Sequence, residues 1–213
     1  MEISRRRLVA GLLASVRWAA ASEWVSLFDG RSLGGWKLTP YNGPGPVTVQ
    51  DGAIRLGRGR LTGVRWGGEF PRTDYEIRFE AARLDGNDFF SITFPVGASH
   101  CEWVNGGWGG EVVGLSNLDG YDASENETST LKQFEQGRWY RFRLAVSEER
   151  IQGWIDDAVV IDVEVKGRQV ELRFGDSDLG TPLGFSAYAI EAGVRKIVYR
   201  RREPPRAGGA DAI

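Results

Sequence analysis

The densest group of reactive side chains in this sequence lies at residues 100–103, which are His100, Cys101, Glu102 and Trp103. Successive side chains of an extended strand point to opposite faces, so His100 and Glu102 share a face, whereas His100 and Cys101 cannot form a nucleophilic dyad. A carboxylate next to an imidazole raises the pKa of the imidazole, as a general base requires. The alternative is a hydrogen-bonded structural histidine beside a surface glutamate.

Carboxylates in and around this segment have the chemistry needed to cleave a glycosidic bond. Glycoside hydrolysis normally uses two carboxylates about 5–10 Å apart, one of which protonates the leaving group. We predict Glu102 and Glu111 as this pair, with Asp88 as the third candidate.

The segment that follows Asp88 has one apolar and one mixed face. Its even-numbered residues are mostly apolar and are expected in the core, while Phe89, Ser91 and Thr93 share the other face. Hydroxyls hydrogen-bond a sugar, and an aromatic ring stacks on its apolar C–H faces. We therefore expect these three residues to bind a saccharide; an ordinary solvated sheet face is the alternative.

Two irregular segments follow the lone histidine and cysteine. Residues 105–110 (NGGWGG) place Trp108 among four glycines, which lets the backbone approach a ligand beside a flat ring. Residues 118–137 are too long for a plain hairpin, and loops of that length are often functional. We expect Trp103, Trp108, Asn126 and Thr128 to contact a saccharide.

The second of these segments also contains carboxylates at positions 119, 122, 125 and 127. Calcium takes about six to eight oxygen ligands, which acidic loops can supply, but this spacing does not match an EF-hand. A solvated loop is the favoured interpretation. No cofactor is predicted, and calcium is the one metal that the loop leaves open.

Composition excludes several other kinds of site. One histidine and one cysteine among 213 residues exclude a multi-histidine metal site, an internal disulfide and a thiolate cluster. The net charge of −2 gives no reason to expect a nucleic-acid partner. No segment predicts a membrane span, because the longest apolar stretch, near the N-terminus, is too short.

Alternation of apolar and polar residues predicts the strands that would position these side chains. Period-two segments cover residues 74–83, 139–147, 158–165 and 193–201, and Asp-Gly dipeptides mark turns elsewhere in the chain. The 29 glycines also favour a turn-rich β protein. We predict an all-β fold, a two-sheet antiparallel sandwich over residues 22–202, followed by a disordered tail over residues 203–213.

The first 21 residues have the features of an export signal. Arg5, Arg6 and Arg7 precede a short apolar stretch, and residues 19–21 match an A-x-A cleavage site. The sequence around the arginines also fits a twin-arginine signal, with a general secretory signal as the alternative. We expect a bacterial protein in the periplasm or outside the cell.

Residues 24–36 (WVSLFDGRSLGGW) resemble the opening signature of the 3-keto-disaccharide hydrolase domain family. Similarity continues to about residue 201, in segments that include 49–54 (VQDGAI), 73–80 (TDYEIRFE), 137–140 (GRWY), 151–157 (IQGWIDD) and 184–200. The resemblance implies a jelly-roll sandwich of the concanavalin A-like lectin/glucanase type in an exported protein. It also implies that ligands lie on the concave sheet and its rim loops.

Two segments depart from the family pattern on the sheet expected to face the ligand. Family members carry a strand of the type N-S-G-I-x-x-R; here Asn87 matches its asparagine and is implied to contact substrate, but the arginine is missing. The next strand of the family has the pattern E-x-Q-I-x-D. Residues 111–117 keep Glu111 of that pattern but lack the glutamine and the aspartate.

The sequence thus predicts a divergent family member, an exported glycoside hydrolase that acts on 3-keto-glycosides or related saccharides. A 3-keto group acidifies the neighbouring C2 proton, so one general base, a carboxylate or His100, could expel the C1 substituent by elimination. Loss of the family residues favours a non-catalytic carbohydrate-binding module as the first alternative. A structural or adhesion domain of an exported assembly is the second.

Overall fold

The computed structural model describes residues 23–203, which form fifteen strands and two short helical turns. The predicted export signal and all of the predicted tail except Glu203 lie outside these residues. The strands are β1 (Val25–Ser26), β2 (Trp36–Leu38), β3 (Val47–Gln50), β4 (Ala53–Leu56), β5 (Thr62–Trp66), β6 (Tyr75–Asp85), β7 (Phe90–Val96), β8 (Ser99–Gly106), β9 (Val112–Ser116), β10 (Thr130–Leu131), β11 (Tyr140–Val146), β12 (Arg150–Ile155), β13 (Ala158–Glu164), β14 (Gly184–Ala187) and β15 (Glu191–Arg201). The helical turns are α1 (Gly107–Gly110) and a 3-10 turn, Asp176–Gly180.

These strands form two antiparallel sheets, which confirms the predicted fold class. One sheet has the order β13-β12-β11-β6-β15-β4-β3, with β1 paired to β15 as its eighth strand. The other has seven strands in the order β10-β9-β8-β7-β14-β5-β2. Neighbours in each sheet are often distant in sequence, as in other jelly-roll sandwiches.

Alternation along the strands fills the space between the sheets. In β6, Tyr75, Ile77 and Phe79 are buried in the core, while the residues between them point to the outer face of the eight-stranded sheet. Phe79 stacks on Phe142 of β11 with ring centroids 5.0 Å apart. At the predicted turn between β3 and β4, Asp51 and Gly52 both have positive φ, the conformation that Asp-Gly hairpins favour.

The chain between β13 and β14 crosses from one sheet to the other and covers part of the outer face of the seven-stranded sheet. It first follows the end of β9, where the Asn117 N–H donates to the Glu171 carbonyl over 2.6 Å. It then reaches Glu102 of β8 through Ser177, which lies in the 3-10 turn. We call residues 171–180 the covering segment. Within residues 23–203, no helix is long and apolar enough to cross a membrane.

Candidate functional site

The outer face of the seven-stranded sheet carries a compact group of polar side chains. Thr93 of β7 pairs with Glu102 of β8, and Ser91 of β7 pairs with Ser186 of β14. These residues point outward because their neighbours along the strands, such as Ile92, lie in the core. The sheet register therefore gathers three hydroxyls around one carboxyl group.

Glu102, the carboxylic acid of this group, is enclosed, with 7% of its surface exposed. The Ser91 hydroxyl donates to its Oε1 over 2.5 Å, and the Ser177 hydroxyl donates to its Oε2 over 3.2 Å. Burial raises the pKa of Glu102, and the two serine hydrogen bonds oppose that rise only in part. A carboxyl with a raised pKa can exchange a proton near neutral pH, as general acids and bases do.

A line of hydroxyls continues from Glu102 across the sheet. The Ser91 and Ser186 Oγ atoms lie 2.7 Å apart, and Ser186 also hydrogen-bonds the Tyr41 phenol. Burial raises the pKa of Tyr41, and the neighbouring Glu102 raises it further. The phenol thus stays protonated and is a hydrogen-bond donor in the same group.

The covering segment closes over this group. A Cβ atom added to Gly180 would lie 3.0 Å from the Thr93 Oγ1 and 3.3 Å from the Tyr41 hydroxyl oxygen, so the backbone packs directly on both side chains. Ser177 occupies one oxygen of Glu102. A ligand that bonds to this oxygen must therefore either use its second lone pair or displace the hydroxyl of Ser177.

Aromatic side chains stand on the loops around this face. Phe174 of the covering segment is fully exposed, and its neighbour Arg173 has its guanidinium 5.8 Å from the ring of Trp108, which is 45% exposed. Phe89 stacks on Tyr188 with centroids 5.5 Å apart. Exposed rings at the rim of a polar site suit the C–H faces of a sugar.

Asn87 holds the glycine-rich turn that presents Trp108. Its Nδ2 donates to the Gly109 carbonyl over 2.9 Å, and a Cβ atom on Gly110 would clash with its Oδ1 at 2.2 Å. Trp108 itself has positive φ, so α1 is a tight turn rather than a regular helix. Asn87 is thus placed to set the position of Trp108.

His100 does not pair with Glu102, so the predicted carboxylate–imidazole pair is wrong. The Nε2 of His100 is buried without a hydrogen-bond partner, and Glu102 bonds to two serines instead. Burial, followed by the charge of Arg72, lowers the pKa of His100, opposite to the predicted direction. The spacing explains this, because alternate residues of a strand lie about 6.6 Å apart.

Glu111 and Asp88 do not join Glu102 in a carboxylate pair. Glu111 lies five positions before Ser116, the partner of Glu102 in the register, which corresponds to about 16 Å along the strand direction. Its carboxylate accepts a hydrogen bond from the Gln133 side chain over 2.9 Å. Burial raises the pKa of Asp88, whose Oδ1 accepts the Phe89 N–H.

Trp103 faces the core and not a ligand, contrary to the prediction. It is fully buried and meets Phe142 of the other sheet with ring centroids 5.4 Å apart. Strand alternation explains the error, because Glu102 points outward and its neighbour must therefore point inward.

Asn126 and Thr128 are also structural residues, contrary to the prediction. The Asn126 Nδ2 donates to three backbone carbonyls, those of Leu115, Tyr121 and Asp122, and its Oδ1 accepts from the Thr128 hydroxyl. The Thr128 Oγ1 in turn accepts the Leu115 N–H over 2.9 Å. Both side chains are buried, and their bonds hold the loop to β9.

The carboxylates of the same loop engage arginine rather than forming a calcium site. Arg168 pairs with Asp119 at 2.7 Å and also with Glu127. Asp122 accepts hydrogen bonds from the backbone and hydroxyl of Ser124. In the described part of the chain, no group of three or more His, Cys, Asp and Glu residues could hold a metal ion.

Sequence reasoning missed Tyr41, Ser177, Ser186 and Phe174. Ser186 alternates with apolar residues in β14, and this alternation could have placed it on the outer face. The other three lie outside strands, where no periodic pattern predicts which way a side chain points.

The sequence matches a known protein family, and the fold is shared with solved structures. The family model of the 3-keto-alpha-glucoside-1,2-lyase-like domain matches residues 23–173 of this sequence. No curated protein matches the sequence.

Several solved structures share the fold at low sequence identity. Crh5 transglycosylase in complex with NAG superposes with a TM-score of 0.58 at 15% identity, over 88% of this chain and 86% of that one. The carbohydrate recognition domain of Emp46p gives 0.54 at 14%, over 81% and 90%. The carbohydrate binding module CBM66 from Bacillus subtilis gives 0.50 at 10%, over 78% and 95%. At these identities the similarity shows the fold alone.

Proposed function

Because the chain belongs to the 3-keto-alpha-glucoside-1,2-lyase-like domain family, we propose that it cleaves 3-keto-glycosides, with Glu102 as the group that moves the proton. The observation that carries this proposal is the enclosed Glu102 carboxyl, whose pKa burial raises and to which two serine hydroxyls donate. A single acid–base group of this kind is sufficient for an elimination, whereas hydrolysis by the usual glycosidase route needs two carboxylates.

The proposed reaction is an elimination across C1 and C2 of the sugar. The ionised Glu102 takes the C2 proton, which the 3-keto group acidifies, and the electron pair of the C–H bond forms an enolate with the C3 oxygen. The enolate then collapses with formation of a C1–C2 double bond and cleavage of the bond from C1 to the glycosidic oxygen. The protonated Glu102 returns its proton to the leaving oxygen, and later addition of water to the double bond gives the net products of hydrolysis.

The hydroxyls around Glu102 would stabilise the enolate. The phenol of Tyr41 and the hydroxyl of Ser186 line the same face and can turn to donate to a developing negative charge, while the Ser91 hydroxyl donates to Glu102. Neutral donors that are already in place stabilise such a charge effectively in an enclosed site. Entry of the substrate requires the covering segment to move, because Glu102 is only 7% exposed and Gly180 of that segment packs on Thr93 and Tyr41.

A chromogenic 3-keto-glucoside tests the proposal directly. We expect Glu102→Gln to lower the rate of nitrophenol release from p-nitrophenyl 3-keto-α-glucoside by about 10²–10⁴-fold, the usual contribution of a general acid–base group. Glu111→Gln is the matched control, since Glu111 lies about 16 Å from Glu102 along the strand direction. It should leave the rate of nitrophenol release within about twofold of wild type. Full activity in Glu102→Gln would overturn the assignment.

Isotopic substitution separates elimination from direct hydrolysis. A substrate deuterated at C2 should react several-fold more slowly than the protiated one if removal of this proton limits the rate. Direct displacement at C1 leaves the C2–H bond intact and predicts nearly equal rates.

A non-catalytic saccharide-binding role is the second candidate, favoured by the full exposure of Phe174. A protein of this kind binds a 3-keto-glucoside without turnover. It loses affinity on Phe174→Ala and keeps affinity on Glu102→Gln. Calorimetric titration of both variants, beside the activity assay, distinguishes the two functions.

We also propose that the protein is exported, from residues 1–21 of the sequence. Replacing Arg5, Arg6 and Arg7 together by lysine should retain the protein in the cytoplasm if the twin-arginine route carries it. Fractionation of cells that express the full chain measures this. Unchanged export of the variant would favour the general secretory route.

A further inference from the structure

The outer face of the eight-stranded sheet, opposite to Glu102, has an unusual arrangement of charge. Arg78 of β6 lies directly across from Arg143 of β11, and like charges in that relation destabilise a sheet. The fully buried Glu76 offsets the repulsion, because its oxygens lie 2.8 Å from nitrogens of Arg78, Arg143 and Arg200. Three cations therefore share one carboxylate.

A second carboxylate on this face is also shared. Glu80 contacts Arg195 at 2.8 Å and Lys196 at 2.7 Å. The five cations that surround Glu76 and Glu80 thus exceed the two carboxylates by three charges, while the whole chain has a net charge of −2. The positive charge is therefore in excess locally, around Glu76 and Glu80, and a local excess of this kind attracts anions.

Tryptophan rings hold these arginines in place. The Arg143 guanidinium lies 4.2 Å from the ring centre of Trp154, and that of Arg195 lies 4.0 Å from the ring centre of Trp139. A guanidinium stacked on an aromatic ring is held in position and keeps N–H groups at its edge for a second partner. One face of each ring is thus covered by its arginine.

A groove of about 410 Å³ lies beside Arg143 and Trp154, while Arg195 and Trp139 lie outside it. Its walls include four cations, Arg78, Arg141, Arg143 and Lys196, and two carboxylates, Glu80 and Asp157, of which Asp157 is paired with Arg141 at 2.6 Å. Trp154 also lines the groove. The volume lies within the usual range for small-ligand sites, about 300–1,000 Å³, and so accommodates one or two sugar rings.

We propose that this groove, here called the arginine–tryptophan groove, binds a uronate unit of an acidic saccharide chain. Arginine matches the planar geometry of a carboxylate and can bind it through two parallel hydrogen bonds, and Trp154 lines the same groove, where it can contact the sugar ring that carries the carboxylate. The proposal does not depend on the activity proposed for Glu102, since the groove belongs to the other sheet. It gives the protein a saccharide site separate from the group around Glu102.

Calorimetric titration with tetragalacturonate tests the groove, with neutral maltotetraose for comparison. Arg141 and Lys196 are suitable positions, because their side chains are 64% and 66% exposed and replacing them spares the core. We expect Arg141→Gln combined with Lys196→Gln to weaken tetragalacturonate binding at least tenfold. The variant should keep the thermal stability and the nitrophenol-releasing rate of the wild type.

Lys166→Gln combined with Arg58→Gln is the matched control. It removes the same charge from exposed ion pairs with Glu149 and Asp85, neither of which lines the groove. Binding within twofold of wild type in this control supports a local site. The proposal is overturned by an equal loss in both double variants, by equal affinity for maltotetraose, or by an absence of tetragalacturonate binding. Displacement of tetragalacturonate by short single-stranded DNA at equal charge concentration would also overturn it, since it would indicate a general polyanion surface.

Discussion

The Ser91 hydroxyl donates to the Glu102 carboxylate over 2.5 Å, although the two residues are eleven positions apart in the chain. Oxygen–oxygen distances of about 2.5–2.7 Å are typical of a hydroxyl that donates to a charged carboxylate. The bond favours the ionised form of Glu102, while burial favours the protonated form, and burial has the larger effect on the pKa. Glu102 therefore keeps its proton to a higher pH than an ordinary glutamate does, and this shift makes its pH dependence measurable.

Replacement of Glu102 by glutamine should stabilise the protein at neutral pH. The folded state keeps the Glu102 proton to a higher pH than the unfolded state does, so the wild-type free energy of unfolding falls as pH rises above the ordinary glutamate pKa of 4.5. A glutamine side chain at this position carries no charge and avoids this loss. Denaturant titrations between pH 4 and pH 8 should show that Glu102→Gln has a higher free energy of unfolding than the wild type. This difference should grow with pH and vanish near pH 4.

The same substitution at Glu111 serves as its control, because no enclosed hydroxyl group surrounds that side chain and its hydrogen bond to Gln133 is exposed. A gain of similar size and pH profile at position 111 would show that the effect reflects overall charge. A loss of stability in Glu102→Gln at pH 8 would contradict the expectation.

Trp103→Ala should cost about 3–5 kcal/mol of unfolding free energy, the usual range for removal of a large buried aromatic side chain. Trp103 is fully buried against Phe142 between the sheets. Urea denaturation measures the cost. Trp108→Ala is the comparison, because that ring is half-exposed, and it should change the free energy by less than about 1 kcal/mol.

Asn126→Ala should cost about 2–4 kcal/mol, since the substitution removes hydrogen bonds to three backbone carbonyls and leaves the Thr128 hydroxyl without an acceptor. Asn87→Ala removes one exposed hydrogen bond and should cost less than about 1 kcal/mol. Thermal denaturation compares the two. Equal costs would mean that the loop does not depend on the buried amide.

Glu76 should make folding sensitive to acid, in the direction opposite to Glu102. Burial alone would raise the pKa of Glu76, but hydrogen bonds from Arg200 and Arg78 and the charge of Arg143 outweigh it, so the pKa lies below the ordinary value of 4.5. Its contribution to stability is complete above that value and is lost as pH falls through the lowered pKa.

Glu76→Gln tests this contribution. The substitution should cost about 2 kcal/mol at pH 7, less than for a fully buried ion pair because the arginines reach solvent, and the difference from wild type should shrink in acid. Denaturant titrations between pH 2 and pH 7 measure it. A cost that is constant over this range would indicate that the charge of Glu76 does not matter.

Strand alternation predicted much of the architecture correctly. The segment predicted at residues 74–83 is β6, and its apolar residues lie in the core as expected. The prediction that Ser91 and Thr93 share the outer face also agrees with the structure. Both follow from one rule, that apolar side chains of a strand turn away from water while the residues between them point the other way.

The same rule could not predict which residues from distant parts of the sequence form hydrogen bonds with each other. Ser186 lies 95 positions from Ser91, and Ser177 lies 75 positions from Glu102. The even or odd position of a residue in its strand assigns its side chain to one face of the sheet. It does not show which strand lies next to that residue. The expected carboxylate–imidazole pair failed because alternate residues of a strand lie about 6.6 Å apart, and the partners that Glu102 has instead, Ser91 and Ser177, come from distant segments.

By itself, the sequence determined the two-sheet β architecture and its turns, because the alternation of apolar residues and the preferences of turn residues depend on neighbouring positions in the chain. It also determined the family to which the chain belongs. Only the tertiary structure decided that Glu102 is enclosed by Ser91 and Ser177, that Trp103 is a core residue, and that arginines converge on Glu76. These features depend on which strands pair and where the chain crosses over a sheet. Contacts between distant segments set that arrangement, and a local pattern does not encode it.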